Sequence, residues 1–197
     1  LSSLVRLRFP RMEIIVVNDG STDSTLQRIL AAFDFRRMDI TYEERITTRP
    51  VRGFYEKREG LPPGIVRWVL VDKENGGKAD ALNAGINAST CPMFVSVDAD
   101  SLIDEDALLQ SFLVMLRSER VVAIGGQVGI VNGSQVESGR VRAVGLPRSW
   151  LARFQIVEYI RSFTIGRTAL DRLNAVLIIS GVFAIFRKDV AVSVGGY

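Results

Sequence analysis

Two aspartates directly follow an apolar run near the middle of the chain. In the stretch PMFVSVDADS, residues 92–101, a single alanine separates Asp98 from Asp100. Side chains at positions i and i+2 of an extended chain point to the same side, so this spacing predicts that both carboxylates converge at the end of a strand. Paired carboxylates that share a cation with water and phosphate oxygens are typical ligands of Mg²⁺ or Mn²⁺. We therefore expect a divalent metal at Asp98 and Asp100, although one aspartate after a strand commonly caps the next turn.

Another aspartate, Asp19, ends the apolar run MEIIVVND and precedes Gly20. A carboxylate at the end of a strand can accept hydrogen bonds from a nucleobase or a ribose, and glycine allows the backbone to approach a ligand closely. Asp-Gly is also common in hairpin turns, but the helical pattern in the following STDSTLQRILAAF argues against a hairpin. Asp19 and Gly20 are therefore candidate ligand contacts, and a plain turn into a helix is the alternative.

The third segment of interest, ENGGKADALNAG, contains a lysine at its fifth position. Lys78 follows a Gly-Gly turn and begins a predicted helix. A cation is unfavourable near the positive end of a helix dipole, and an anion bound there would remove that conflict. The pattern predicts that Lys78 lies near a nucleotide or diphosphate and that Asp80 orients it. The alternative is a lysine that only faces solvent.

These residues lie at the ends of predicted strands that alternate with helices. Strands are predicted at 12–19, 66–72 and 93–97, and each is followed by a helical pattern, with Ser21 or Thr22 as the first cap and Asp104 as the third. Residues 34–64 are charged and irregular, which predicts a surface excursion with one short strand at its start. The alternation indicates an α/β fold with a mostly parallel central sheet flanked by helices, and such sheets bind ligands at the carboxyl ends of their strands.

Composition narrows the chemistry further. The 197 residues include no histidine, so we expect any metal to be held by oxygen and any base to be a carboxylate. The lone cysteine, Cys91, cannot form an internal disulfide. The net charge of +3 is small, and the basic residues are not gathered into one long run. Composition therefore gives no reason to expect nucleic acid as a partner. The apolar run at 175–186 is too short to cross a bilayer.

Four segments in this order resemble glycosyltransferase family 2, the inverting nucleotide-sugar transferases of the GT-A fold. They are EIIVVNDGSTDST, ENGGKADALNAGINAS, VSVDADS and ISGVFAIFRKDVAVSVGGY. The resemblance covers about residues 12–197 and is nearest to membrane-bound members related to synthases of poly-N-acetylglucosamine, chitin, hyaluronan and cellulose. It implies a single catalytic-domain fragment over 1–197, truncated at both ends, with a nucleotide-binding half at about 12–117 and an acceptor-side half at about 118–197.

The resemblance also implies a role for each donor-side residue. Asp19, with Gly20 in the same turn, matches the carboxylate that contacts uracil, and Lys78 matches a basic residue near the nucleotide. Asp98 would contact ribose or a metal-bound water, and Asp100 would bind the metal that bridges the diphosphate. The expected donor is a UDP-sugar, by resemblance UDP-N-acetylglucosamine, and the expected cofactor is Mg²⁺ or Mn²⁺.

On the acceptor side, Ser180 and Gly181 match a segment that lies against the acceptor sugar. The expected acceptor is a polysaccharide or another glycan. The family's catalytic base follows GGY, so we expect it beyond Tyr197 and expect this fragment to bind donor and metal without turnover. The resemblance further implies a parent protein at the cytoplasmic face of the cell membrane, attached through segments outside a fragment that is itself soluble.

Three alternatives remain at this point. The fold can persist in a nucleotide-binding scaffold that has lost catalysis. A haloacid dehalogenase type phosphatase also uses an Asp-x-Asp motif, but places it at the first strand. The segment 140–167, rich in arginine and aromatic residues, is either a helix packed on the domain or an amphipathic helix on an anionic membrane surface.

Overall fold

The structure is a computed structural model that describes residues 1, 3–39, 42–137, 139–167, 170, 179 and 181–197. The strands in chain order are β1 (Met12–Asp19), β2 (Arg36–Met38), β3 (Val51–Lys57), β4 (Ile65–Lys73), β5 (Met93–Val97), β6 (Ala123–Gly125), β7 (Gln135–Glu137), β8 (Arg140–Ala143) and β9 (Phe183–Arg187). The helices are α1 (Thr25–Phe33), α2 (Lys78–Ala88), α3 (Ala107–Met115), α4 (Trp150–Tyr159), which a π-helical turn (Ile160–Gly166) continues, and α5 (Lys188–Ser193).

The chain divides into two compact units. The first, which we call the β1–β4 unit, comprises Phe9–Phe94 and Phe186–Tyr197. The second, the β6–β8 unit, comprises Leu1–Arg8 and Val95–Ile185. The predicted nucleotide-binding half (12–117) and acceptor-side half (118–197) are defined by the ligands that they would bind, whereas the two units are defined by their compactness. The two halves stay a prediction.

Strand β4 lies inside the four-stranded sheet of the β1–β4 unit, whose order is β1-β4-β3-β2. It runs parallel to β1, with Asp19 opposite Lys73, and antiparallel to β3, which pairs antiparallel with β2. The α/β class is as predicted, but this sheet is mixed rather than mostly parallel. The short connection between β3 and β4 explains the difference, because a parallel neighbour needs a crossover of a dozen or more residues.

The middle of β4 forms the core of this unit. Residues 68–71 are at most 1% exposed, since β4 has a neighbouring strand on each side and a covered surface on each face. On one face Trp68 packs against Phe33 and Phe35, with ring centroids 4.9 and 5.9 Å apart. On the other face the sheet packs against Ala88 of α2. Burial of each such apolar side chain contributes roughly 1.5–3 kcal/mol, so the ends of β1 and β4 are anchored to a rigid centre.

Helix α1 begins later than its sequence predicts. Neither Ser21 nor Thr22 caps it, because the helix starts at Thr25. The Asp23 carboxylate instead accepts a hydrogen bond from the Thr25 amide at 2.9 Å. An aspartate that bonds an amide two residues on closes a local turn, and this turn delays the first helical residue.

In the β6–β8 unit, α3 shows the same shift. The Asp104 carboxylate accepts a hydrogen bond from the Asp106 amide at 3.0 Å, and the helix begins at Ala107. Leu108 and Met115 are the residues that α3 buries. The remaining strands form a three-stranded sheet in the order β5-β9-β6 and a hairpin of β7 and β8.

Helix α4 presents large apolar side chains to solvent. Trp150, Leu151, Phe154 and Val157 are each more than 60% exposed, which does not match the prediction of a helix packed on the domain. An amphipathic helix at a membrane surface stays a prediction. Among the residues that the structure describes, no helix has the length and apolar character needed to span a bilayer.

Candidate donor-binding site

Asp19 is the last residue of β1, and its carboxylate is held by four donors from the end of β4 and the loop after it. The Oδ1 atom accepts from the Lys73 ammonium at 2.7 Å and from the Gly76 amide at 3.0 Å. The Oδ2 atom accepts from the Gly77 amide at 2.8 Å and from Asn75 Nδ2 at 3.3 Å. A carboxylate offers about four acceptor positions, so Asp19 is fully engaged with its own chain in this conformation.

Lys73, at the end of β4, is the buried partner of Asp19. Its side chain has no exposed surface. The ammonium contacts Asp19, the carboxylate of Asp80 and the carbonyl oxygen of Glu74. An ammonium has three N–H donors, and three acceptors surround this one. The lysine thus lies between two carboxylates whose side chains are each 20% exposed.

The network shifts the pKa of both main partners toward the charged state. Burial raises the pKa of Asp19, but the hydrogen bonds from Lys73, Gly76 and Gly77 outweigh burial and leave this pKa below its usual value. Burial likewise lowers the pKa of Lys73, while the hydrogen bonds and charges of Asp19 and Asp80 outweigh it and raise this pKa. Both side chains are thus charged near neutral pH.

Asp80 belongs to a polar stripe of α2 that holds a second loop. Its Oδ2 atom accepts a hydrogen bond from the Arg49 amide at 2.9 Å. Two turns further along the helix, Asn87 Oδ1 accepts from the amides of Arg45 and Ile46, and Asn87 Nδ2 donates to the Ile46 carbonyl at 2.7 Å. Buried polar groups need such partners, so this face of α2 fixes the backbone before β3.

Asn83, on the same stripe, holds the residues GGY. Its Oδ1 atom accepts a hydrogen bond from the Tyr197 amide at 2.9 Å, and its Nδ2 atom donates to the Tyr197 carbonyl at 3.2 Å. A Cβ atom on Gly196 would lie 2.4 Å from Asn83 Oδ1, which explains a glycine here. The ring of Tyr197 packs edge-on against Phe94 and Phe186.

Two glycines allow the loops after β1 and β4 to interlock. Gly20 has a φ of +66°, and a Cβ atom there would lie 2.6 Å from the Asn75 backbone nitrogen. A Cβ atom on Gly76 would lie 2.5 Å from Cγ of Asp80. We expected Gly20 to allow the backbone to approach a ligand, but the group that approaches it here is the backbone of the neighbouring loop.

Lys78 is the first residue of α2, as the sequence predicts, and it is exposed. Gly77, whose amide bonds Asp19, precedes it and has a φ of +87°. Because Asp19 holds Gly77, it also fixes where the helix begins. The predicted orientation of Lys78 by Asp80 is not the arrangement seen, since the Asp80 carboxylate contacts Lys73 and the Arg49 amide.

Asp98 and Asp100 follow β5, which ends at Val97. The strand does not continue through them, because a hydrogen bond from the Ser101 amide to the Asp98 carbonyl at 3.0 Å closes a turn. The alternation of side chains along an extended strand therefore does not set their direction, contrary to the expectation. Asp98 is half-buried and Asp100 is exposed.

The donor set at this turn fits a hard divalent cation. Both groups are carboxylates on one short turn, and the Asp100 carboxylate has no hydrogen-bond or ion-pair partner among the residues that the structure describes. Mg²⁺ typically takes one or two carboxylates and fills its shell with water and phosphate oxygens. No group of three or more cysteine, aspartate or glutamate side chains suited to a metal occurs in the described part of the chain, so a cation here would rely on such further oxygens.

The acceptor-side residues are less informative. Ser180 lies outside the described residues. Gly181 is exposed and begins a turn that leads into β9. Their predicted contact with an acceptor sugar stays a prediction.

The sequence analysis missed Lys73, Asn83 and Asn87. The run VRWVLVDK already contains a signal, since a lysine that directly continues an apolar strand needs a buried counterion. Asn83 and Asn87 share the helical spacing of Asp80, but periodicity indicates only that they lie on one face. Which backbone they hold depends on loops that sequence does not position.

Comparison with known proteins agrees with these features. Residues 62–195 match the family model for glycosyl transferase family 2. The poly-beta-1,6-N-acetyl-D-glucosamine synthases of Staphylococcus aureus (strain COL) and of Staphylococcus epidermidis are each 28% identical to this chain over 196 residues. The alignment covers 99% of this chain and 37% of each relative, so the chain spans well under half the length of these synthases.

The family match covers more than half of the chain and includes the loop after β4, the aspartate pair and Gly195, the first of the GGY residues. Asp98 follows the fifth strand in chain order rather than the first, which argues against a haloacid dehalogenase type phosphatase. The chain therefore belongs to glycosyl transferase family 2, a family of enzymes that transfer glycosyl groups.

Proposed function

We propose that the protein containing this chain transfers a sugar from a UDP-sugar to a growing glycan, with inversion at the anomeric carbon. The observation that carries the proposal is the network of hydrogen bonds that fixes the loop at the carboxyl ends of β1 and β4. There Asp19 fixes a glycine loop that leads directly into α2, with Lys78 as its first residue. Ligands of open α/β sheets bind beyond the carboxyl ends of strands, and helix starts favour phosphate groups.

Asp98 and Asp100 are the proposed ligands of a divalent cation, Mg²⁺ or Mn²⁺. Family members commonly use such metals. The bound cation would neutralise charge on the diphosphate as it leaves. The two carboxylates alone would repel a diphosphate, so without the metal we expect these residues to oppose donor binding rather than support it.

Asp19, Gly20 and Lys78 are the further proposed donor contacts. Lys78 supplies positive charge toward the diphosphate. For Asp19, contact with uracil would require one of its four hydrogen bonds to break. We therefore propose that Asp19 contributes to donor binding by fixing the loop that contains Gly76 and Gly77.

Transfer itself requires a carboxylate base that takes the proton of the acceptor hydroxyl. The hydroxyl oxygen then forms a bond to the anomeric carbon as the bond from that carbon to UDP breaks. By the family resemblance, the proposed base follows GGY, beyond Tyr197. Ser180 and Gly181 are the proposed acceptor contacts. A bulky replacement of Gly181 is expected to weaken acceptor binding while sparing the donor.

N-acetylglucosamine is the proposed sugar, because the relatives named above are poly-beta-1,6-N-acetyl-D-glucosamine synthases. The proposed setting is the cytoplasmic face of the cell membrane, where nucleotide-sugars are available, with a polysaccharide or other glycan as acceptor. A scaffold that binds nucleotide but does not catalyse transfer is the second candidate, because the 28% identity leaves catalytic competence open.

Calorimetric titration of the chain with UDP, GDP and ADP, each with Mn²⁺, tests the nucleotide. UDP is expected to bind at least tenfold more tightly than GDP or ADP. A second series with UDP-N-acetylglucosamine, UDP-glucose and UDP-galactose tests the sugar, and the first is expected to bind best. Equal affinity for all three nucleotides contradicts the proposed donor class, whereas equal affinity for the three UDP-sugars contradicts only the proposed sugar.

A further inference from the structure

A fully buried lysine lies directly beneath the loop that leads into α2. Lys73 has no exposed side-chain surface, and its ammonium has two carboxylates and one carbonyl oxygen as partners. Removal of its charge would leave Asp19 and Asp80 as neighbouring negative groups with no buried cation between them. Such groups would repel each other or take up a proton.

Asp19 links Lys73 to the loop through hydrogen bonds. While Lys73 binds one of its oxygens, the same carboxylate accepts the amides of Gly76 and Gly77. These are charge-assisted hydrogen bonds, which are about twice as strong as neutral ones. If Asp19 turned away, both amides would lose their acceptor, and if it became protonated, both hydrogen bonds would lose the negative charge that strengthens them.

Asp80 constrains the loop from the other side. Its carboxylate contacts Lys73 and accepts a hydrogen bond from the Arg49 amide, and its Cγ would lie 2.5 Å from a Cβ atom on Gly76. Asp80 is also in the first turn of α2. The lysine thus links the end of β1, the glycine loop and the start of the helix through one ammonium group.

We propose that Lys73 is a positioning residue for donor binding, which holds Asp19 and Asp80 so that Gly76, Gly77 and the start of α2 take a single arrangement before the donor arrives. The inference rests on the proposed function, since the ligand of that loop is the UDP-sugar. It goes beyond that function by giving Asp19 an indirect role. Asp19 acts by ordering the loop, and Lys73 keeps it in place.

The test compares three variants of the whole chain with the wild type. Lys73→Met removes the cation at similar length. The triple variant Lys73→Met, Asp19→Asn, Asp80→Asn removes all three charges, so it lacks the unpaired carboxylates that would destabilise the single variant. Lys188→Met is the matched control, because Lys188 is a partly buried lysine that donates to the Ser89 carbonyl, away from the loop.

The thermal midpoint of each variant is measured first, and two further quantities report on the loop and its ligand: hydrogen exchange of the Gly76 and Gly77 amides without ligand, and the affinity for UDP with Mn²⁺. In Lys73→Met, amide protection is expected to fall at least tenfold and the Kd for UDP to rise at least tenfold. In the triple variant, the thermal midpoint is expected to recover toward that of the wild type, while both loop protection and UDP affinity stay low. Lys188→Met is expected to match the wild type in both.

The outcomes separate a positioning role from a purely structural one. If the triple variant regains both stability and UDP affinity, Lys73 serves only to neutralise charge and the inference is wrong. Unchanged UDP affinity in Lys73→Met, despite loss of amide protection, also overturns it. A wild-type chain that binds no UDP contradicts the proposed function itself, and that result appears before any variant is compared.

Discussion

Lys73 and Asp19 occupy facing positions in the parallel pair of β4 and β1, and their side chains form an ion pair with 2.7 Å between Nζ and Oδ1. Register explains the contact. Residues paired across parallel strands point to the same face, so an aspartate and a lysine that end their respective strands meet on the face that α2 covers. The ion pair fixes two loops at the edge of the sheet where Asp19, Gly20 and Lys78 are the proposed donor contacts.

The interlocked glycines predict a graded loss of stability. Gly20→Ala is expected to lower the free energy of unfolding by about 3 kcal/mol, because alanine would be strained at this φ and its Cβ would clash with the Asn75 backbone. Gly77→Ala is the matched control, since Gly77 also has a positive φ but open space around a Cβ, and about 1 kcal/mol is expected. Urea unfolding measures both, and equal losses would contradict the close approach of the loops.

The double hydrogen bond between Asn83 and the Tyr197 backbone predicts a second loss. Asn83→Ala removes two part-buried hydrogen bonds to the backbone of Tyr197, which costs about 1 kcal/mol. Asn132→Ala, in an exposed turn, is the control and is expected to change stability by less than about 0.5 kcal/mol. If both variants unfold at the same urea concentration as the wild type, α2 does not hold the GGY residues.

The lowered pKa of Asp19 predicts an acid dependence of stability. Because the folded pKa lies below the unfolded value of about 3.9, the contribution of Asp19 is fully present above that value and is lost as the pH falls through the folded pKa. Lys73 from β4 is the cation that faces Asp19, and Asp80 from α2 is the second carboxylate on that cation.

Urea unfolding of the wild type and of Asp19→Asn between pH 3 and 7 measures this contribution. The difference in the free energy of unfolding between the two is expected to be constant from pH 5 to 7 and to shrink toward pH 3. The raised pKa of Lys73 adds no change in this range, because its charge is lost only above the ordinary lysine value. A difference that grows toward acid would show that Asp19 is not stabilised as a carboxylate.

Sequence patterns predicted the parts of the fold that depend on continuous apolar runs. The predicted strands at 12–19 and 93–97 match β1 and β5, and the predicted start of α2 at Lys78 is confirmed. Strand β3 was missed, because VRGFYEK mixes charges with glycine and buries only Phe54. Pairing with β4, rather than local pattern, makes this segment a strand.

For the candidate site residues, the sequence predicted their places at strand and helix ends but not their contacts. Asp19 ends its strand as expected, yet the sequence could not reveal that four donors of the neighbouring loop would occupy its carboxylate. The register of β1 against β4 decides this, and register depends on partners distant in the chain. Asp98 and Asp100 share a short segment as expected, but a local backbone hydrogen bond turns the chain there instead of extending it.

A metal-dependent donor site at Asp98 and Asp100 is the central claim, and a calorimetric titration of UDP into the wild type and into Asp100→Asn, each with Mn²⁺ and with EDTA, tests it most directly. Asp189→Asn is the control, because Asp189 is an exposed carboxylate that lies in α5. We predict that EDTA raises the Kd for UDP at least tenfold in the wild type and in Asp189→Asn. Asp100→Asn is predicted to bind weakly with or without Mn²⁺. Equal UDP affinity in all three proteins under both conditions would contradict the account.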